Sequence, residues 1–222
     1  MPSPSFDANG FVRGGNDGFN LGSGSEIPLN LNNRGDLIVA FGLPQRADLI
    51  RQGQTWTCRM ATGSVFTYVA AWPTTRAELL LYNGEPTYGK SYVIDSAWMY
   101  GLTSMAAAQP IDLIAQLAPV ATIPTHDTAQ LITGQNGKFT YGGFGRVCVA
   151  NTTGGCVANR WDLLASANAP MTTNLGLSVL ADLWGKYIVP PGWVFGLAGI
   201  AGTAAGTALI GVTWSEVQLI LG

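Results

Sequence analysis

Groups able to do chemistry are few in this chain. Its one histidine, His126, sits in Ile123-Pro-Thr-His-Asp127. A Ser-His-Asp triad would have to use that ring, and Asp127, its immediate neighbour, cannot easily orient it while a serine approaches the other nitrogen. There is no Gly-x-Ser-x-Gly elbow and no Gly-x-x-x-x-Gly-Lys-[Ser/Thr] phosphate loop. The glycines of Tyr141-Gly-Gly-Phe-Gly145 lack the following helix that a dinucleotide fingerprint requires. Zinc takes several His or Cys at ligand spacing, and Cys58, Cys148 and Cys156 with one histidine do not offer it. Sugar hydrolysis needs only two carboxylates. Glu78, Glu85, Asp95 and Glu216 are the candidates by position, and nothing in their spacing selects a pair. Arg34-Gly35-Asp36 matches the integrin-recognition tripeptide but also suits an ordinary turn before a strand. Asp and Asn gather in 7–20 and 30–36 without the spaced acidic loop of a calcium site. The expectation is no enzyme, no cofactor and no metal.

The cysteines read as buried thiols. The opening Met1-Pro-Ser-Pro-Ser-Phe-Asp7 has no cationic stretch followed by an apolar run, so no secretion signal is read there and synthesis in a cytoplasm is expected. Cys148 and Cys156 flank Val-Ala-Asn-Thr-Thr-Gly-Gly, a hairpin-like loop that could set them across two strands. A disulfide between them, formed in an oxidising medium, is the alternative to two thiols. Asn151-Thr152-Thr153 fits a glycosylation acceptor and, without a secretion signal, reads as the turn itself.

If catalysis is not the role, the surface must carry it, and the surface is unusual. Of 222 residues 47% are hydrophobic and only 11% charged, with a net charge of −2. An ordinary soluble domain carries roughly 25% charged residues. The exterior must therefore be built of Asn, Thr, Ser, Gln and Gly, with a share left apolar. Such a surface favours association, since charge is what normally keeps proteins apart. Burial against other copies is the economical reading. The eleven Lys and Arg form no run, which argues against direct nucleic-acid binding and against a basic membrane-surface helix.

The elements that would present this surface are mostly strands. Residues 1–36 are rich in Gly, Asn, Ser and Pro with isolated apolar positions, and read as an irregular arm unable to build its own core. Residues 37–222 read as one β domain. Leu37–Leu43, Thr55–Met60, Ser64–Trp72, Glu78–Tyr82, Ser91–Tyr100 and Arg146–Ala150 are apolar or alternating runs, closely spaced as antiparallel pairing requires. Thr55–Met60 and Ser64–Trp72, joined through Thr62-Gly63, look like a hairpin. Ile111–Leu117 leans to strand although Pro110 precedes it, and Trp161–Ser166 suggests a short helix. The last forty residues divide into a strand, a Pro190-Pro-Gly192 turn, a strand from Trp193, a turn at Gly202–Gly206 and a long strand from Ala208. Their lack of charge between Lys186 and Glu216 would suit a membrane helix, but the Pro-Pro pair, the recurring glycines and the absence of a cationic flank oppose it.

This closing pattern resembles the end of viral and phage single jelly-roll coat proteins. The residues that carry the resemblance are Tyr187-Ile-Val-Pro-Pro-Gly192, the small-residue strand to Thr203, and Gly211-Val-Thr-Trp-Ser-Glu-Val-Gln-Leu219. It covers the C-terminal third and the general layout. It implies an antiparallel β-sandwich of single jelly-roll type behind an extended arm, and a capsid protein of the virion that self-assembles into a closed, icosahedral-type shell. Many RNA-virus coats carry a basic arm, whereas this one has only Arg13 and Arg34. Genome neutralisation would then fall to another virion component. Phe6, Phe11 and Phe19 in the arm, with Trp72, Trp98 and Trp193, are the expected assembly anchors. Two rivals remain: a decoration, spike or collar protein of the virion, and a carbohydrate-binding β-sandwich stacking Trp and Tyr on sugar rings.

Overall fold

The computed structural model describes residues 11–13, 26–28, 45–61, 64–103, 109–120, 123–125, 132–137, 140–149, 155–158, 160–169, 177–202 and 206–219. The chain divides into two units, Met1–Pro44 and Gln45–Gly222. In the first, strands β1 (Phe11–Arg13) and β2 (Glu26–Pro28) pair antiparallel, Phe11 opposite Pro28. The strand expected at Leu37–Leu43 and the arm boundary expected after residue 36 lie outside the described residues.

The second unit is all but free of helix among its described residues. It opens with a single short helix, α1 (Gln45–Arg51), and continues as strands: β3 (Thr55–Arg59), β4 (Phe66–Thr67), β5 (Leu79–Tyr82), β6 (Ser91–Gly101), β7 (Gln109–Pro119), β8 (Ile132–Gly134), β9 (Arg146–Val149), β10 (Asp162–Ala169), β11 (Ser178–Asp182), β12 (Ile188–Val189), β13 (Trp193–Ala201) and β14 (Thr207–Val217). These form two antiparallel sheets. The larger runs β11-β6-β14-β3-β8, with β12 also on β6 and β4 also on β14; the smaller runs β10-β7-β13-β5-β9. The two pack face to face as a β-sandwich.

Why the sheets stack follows from the alternation of side chains along each strand. Tyr92, Ile94, Ala97 and Met99 of β6 and Val212 and Trp214 of β14 enter one core with Leu79, Leu81, Leu113 and Phe195 of the other sheet. β13 shows why the chain is so rich in glycine. At Gly199 a Cβ would fall 2.5 Å from the Met99 sulfur and 2.6 Å from the Phe66 ring, so only glycine lets those side chains reach the strand. Burial at roughly 25 cal/mol per Å² of apolar surface is what holds the layers together.

Most strands expected from the sequence are present, including the closing three with their Pro-Pro-Gly turn. Two expectations are corrected. Thr55–Met60 and Ser64–Trp72 do not form a hairpin: β3 and β4 both pair with β14, Gly211 opposite Arg59 and Ala208 opposite Phe66. The turn closed by Ser64 N donating to the Ala61 carbonyl at 2.8 Å lets the chain continue along the same partner instead of reversing. Trp161–Ser166 is not helical: Asp162–Ala169 is β10, paired with β7 through a bulge between Leu163 and Ala165. The local helix preference of Leu-Leu-Ala is overridden by the open edge of β7, whose backbone groups must be satisfied. Pro110 is accommodated within β7 opposite Asn168, one residue before β13 takes up the other side at Ile111. No described helix is long and apolar enough to cross a membrane.

Candidate functional site: an aromatic outer surface and the polar locks beneath it

Cross-strand register places Trp98 of β6 between Leu180 of β11 and Gly211 of β14, with Tyr100 two residues along opposite Ser178 and Leu209. Ala97 and Met99 point into the core, so Trp98 and Tyr100 face outward. The Trp98 indole lies against Gly211, where a Cβ would collide with the ring. Leu180 beside it is 61% exposed and Tyr100 is exposed too. The outer face of the larger sheet therefore presents an apolar strip reaching β11, its outermost strand. Opposite-face residues Val179 and Ala181 are buried, so the strand shows the half-buried alternation of an edge.

The other expected anchors are scattered. Trp72 is 50% exposed in the segment between β4 and β5. Trp193, at the start of β13, is half-buried and packs against the core between the sheets. Phe11 lies in β1, and Phe6 and Phe19 are outside the described residues. His126 and Arg34-Gly35-Asp36 are outside them as well.

Cys148 and Cys156 come to one small apolar cluster with Leu80, Tyr82, Ala118 and Val194 on the outer side of the smaller sheet. Cys148, on β9, donates its thiol to the Thr125 carbonyl at 2.7 Å. Cys156 is not on a strand, and in this structure it is a thiol that burial pushes up to about 12, the state of an inert structural cysteine. It fits only because position 196 is glycine: a Cβ there would lie 2.6 Å from its sulfur. Gln116, fully buried, fixes the same segment. Its amide donates to the Val157 carbonyl at 2.8 Å and its carbonyl accepts from the Val157 N–H.

Two of the four candidate carboxylates are buried, and they serve opposite faces. Ser215 and Glu216 are consecutive on β14, so their side chains leave the sheet on opposite sides. On the outer side Ser215 Oγ donates to Asp95 Oδ2 at 2.7 Å, with Thr55 Oγ1 3.0 Å from the same hydroxyl. Burial raises the Asp95 carboxyl above its ordinary value, while the Ser215 bond and Arg46 of α1 draw it back. On the core side Glu216 accepts from Tyr141 Oη at 2.5 Å and pairs with Lys90 Nζ at 3.4 Å. Tyr141 Oη also accepts the Gly145 N–H at 2.8 Å, and its ring meets Trp56 edge-on at 4.8 Å between centroids. The hydroxyl of Tyr92 lies 3.4 Å from that of Tyr141, and both phenols are raised, chiefly by burial. Tyr141 thus pins the glycine-rich loop before β9 onto the sandwich. Glu78 is half-buried with its carboxyl raised by desolvation and partly restored by Arg76, and the Glu85 N–H bonds the Asn83 side chain at 3.0 Å. Asp95 and Glu216 lie on opposite sides of the sheet, while Glu216 and Glu85 both act on the Tyr92 phenol.

The sequence marks Asn83 only as a turn residue and gives Trp184 no role. Asn83-Gly84 reads as a hairpin dipeptide, yet Asn83 is fully buried, its amide donating to Lys90 and Val189 carbonyls at 2.9 and 2.8 Å. Trp184 stands 74% exposed at a backbone φ of 47°, with the Arg46 guanidinium 5.5 Å above its ring. Its only sequence signal is a Trp-Gly pair just beyond a strand. Among the described residues there is no cluster of three His, Cys, Asp or Glu that could hold a metal ion.

No protein-family model matches this chain, and no curated protein matches it in sequence. Among solved structures, a chain of an Israeli acute paralysis virus full particle heated to 63 degree aligns over 98% of this chain and 84% of its own, at 9% identity and a TM-score of 0.19, too slight a likeness to bear on fold or function.

Proposed function

We propose that the sandwich is a single jelly roll and that the chain is a non-enzymatic capsid subunit, assembling with copies of itself into the shell of a virion. Strand order supports the fold. Numbering β3, β5, β6, β7, β10, β11, β13 and β14 first to eighth, one sheet reads first-eighth-third-sixth and the other second-seventh-fourth-fifth. First pairs eighth, second seventh, third sixth and fourth fifth, as when one long hairpin is rolled over on itself. β8 and β9 extend the two sheets at one side.

Jelly rolls also serve lectins and other proteins, so the function rests on the surface rather than the fold. The observation that carries it is the exposure, among the described residues, of eleven large apolar side chains, four of them Trp72, Tyr88, Phe144 and Trp184, in a chain with only 11% charged residues. A free subunit would hold them in water; contact with other copies removes them from it. A neutral exterior also lets several distinct faces serve as contacts, which a closed shell demands. The scattered cations leave genome contact to another component.

Light scattering and negative-stain microscopy of the purified full-length protein test this. Closed particles of uniform size are expected, and raising salt from about 50 mM to about 500 mM should leave them intact, since apolar contacts are not screened. Within virions the copy number separates shell from decoration, spike or collar. A protein that stays monomeric at high concentration refutes the reading.

A further inference from the structure

Trp184 occupies a position that local structure would assign to a different residue. Leu183-Trp184-Gly185-Lys186 is a tight turn closed by Lys186 N donating to the Leu183 carbonyl at 2.8 Å, with φ of 47° at Trp184 and 79° at Gly185. Positive φ at both central residues is the type I′ pattern, which Asn, Asp and Gly adopt readily and a bulky aromatic adopts under strain. The turn does not need the indole to stay in place. Leu183 and Trp184 donate their backbone N–H groups to the Asp95 carbonyl at 2.9 and 3.2 Å, and Gly185 to that of Ile94 at 3.1 Å. The indole, meanwhile, is 74% exposed, with one guanidinium above it. Strain and exposure both count against tryptophan in the isolated subunit, so something outside the subunit must favour it.

We propose that Trp184 is an anchor through which one copy of this chain binds a second, with Arg46 holding the ring in its binding orientation. The assignment rests on the self-assembly reading above. A second copy is the occupant that fits: with eleven cations against thirteen anions the chain does not repel itself. The turn also leads out of β11, an outermost strand whose Leu180 continues the exposed apolar surface. A rigid, pre-placed indole is the kind of residue that dominates such contacts, because little freedom is lost when it is buried.

The test compares wild type with Trp184→Asn and Trp184→Phe, measuring melting temperature of the dissociated subunit and the concentration at which half the protein is assembled. Trp184→Asn is expected to melt at the same temperature or a few degrees higher, yet to need about tenfold or more protein to assemble. Trp184→Phe should fall between. If Trp184→Asn assembles at the wild-type concentration, or melts lower, Trp184 is not the anchor while self-assembly stands. If wild type itself forms no particle, both readings fall together.

Discussion

Tyr141 shows how much one side chain can hold. Its hydroxyl donates to Glu216, accepts from the Gly145 N–H, and its ring packs on Trp56 and Trp214. Replacing it with Phe keeps the ring and removes the hydroxyl. Glu216, 3% exposed, would then keep Lys90 as the partner of its carboxylate among the described residues, and the Gly145 N–H would lose its acceptor. Leaving buried polar groups unpaired costs about 1–3 kcal/mol, more where one is charged. Tyr141→Phe should therefore lower the denaturation midpoint by that amount and speed amide exchange at Gly145, while Tyr88→Phe, at an exposed ring, should change neither. None of this was legible in the sequence beforehand. A tyrosine among glycines reads as loop, because what makes it structural is a carboxylate 75 positions away.

At the scale of the element, Gln116 decides whether the segment around Val157 stays on the smaller sheet. Both ends of its amide are spent on the Val157 backbone, in a position with no access to water. Gln116→Ala should cost about 2–3 kcal/mol, two hydrogen bonds with their backbone partners stranded, and should expose the Cys156 thiol to alkylating reagents. Gln116→Glu at neutral pH should do the same, since a carboxylate cannot donate to the Val157 carbonyl. Equal reactivity of Cys156 in wild type and variants would show that the segment is held by packing instead. This same outer face explains which strands the sequence revealed. β5, β6, β13 and β14 are dense with Leu, Val, Ile, Trp and Tyr because they are covered on one or both sides, so composition alone announces them. β10 is an edge strand, half-exposed, and its Asp-Leu-Leu-Ala-Ser-Ala-Asn-Ala carries no alternation to distinguish strand from helix. Its identity comes from β7. The false hairpin of β3 and β4 has the same origin: Thr62-Gly63 reads as a reversal, but β14 is long enough to pair both strands on one side. Trp98 is an expected anchor by residue type alone, and its seat is not legible in the sequence, because nothing local says that Gly211 lies beside its ring.

Four phenols of the sandwich are raised by burial, and that sets its response to alkali. Tyr68 is raised by burial to about 12, and Tyr92, Tyr141 and Tyr187 are raised further, Tyr187 with help from Asp162, to which it donates at 2.8 Å. The sign follows from linkage. A group whose pKa is higher folded than unfolded contributes stability in full below its unfolded value, here 10.0, and loses it as pH climbs through the folded value. For Tyr68 that window is 10 to about 12, and for the other three it extends higher. Within it the unfolded chain sheds protons that the folded chain keeps, at about 1.4 kcal/mol per pH unit for each phenol. Four such groups acting together exhaust the few kcal/mol that a domain of this kind can lose. Stability measured by urea denaturation should hold level up to about pH 10 and then fall steeply, with the tyrosinate absorbance of these four phenols appearing only as the structure unfolds. Particles, if formed through apolar contacts, should persist over the neutral range and come apart at the same alkaline threshold as the subunit. Dissociation well below it, into subunits still folded, would mean that ionisable groups at the contacts hold the copies together, and the neutral interface inferred from composition and exposure would be wrong.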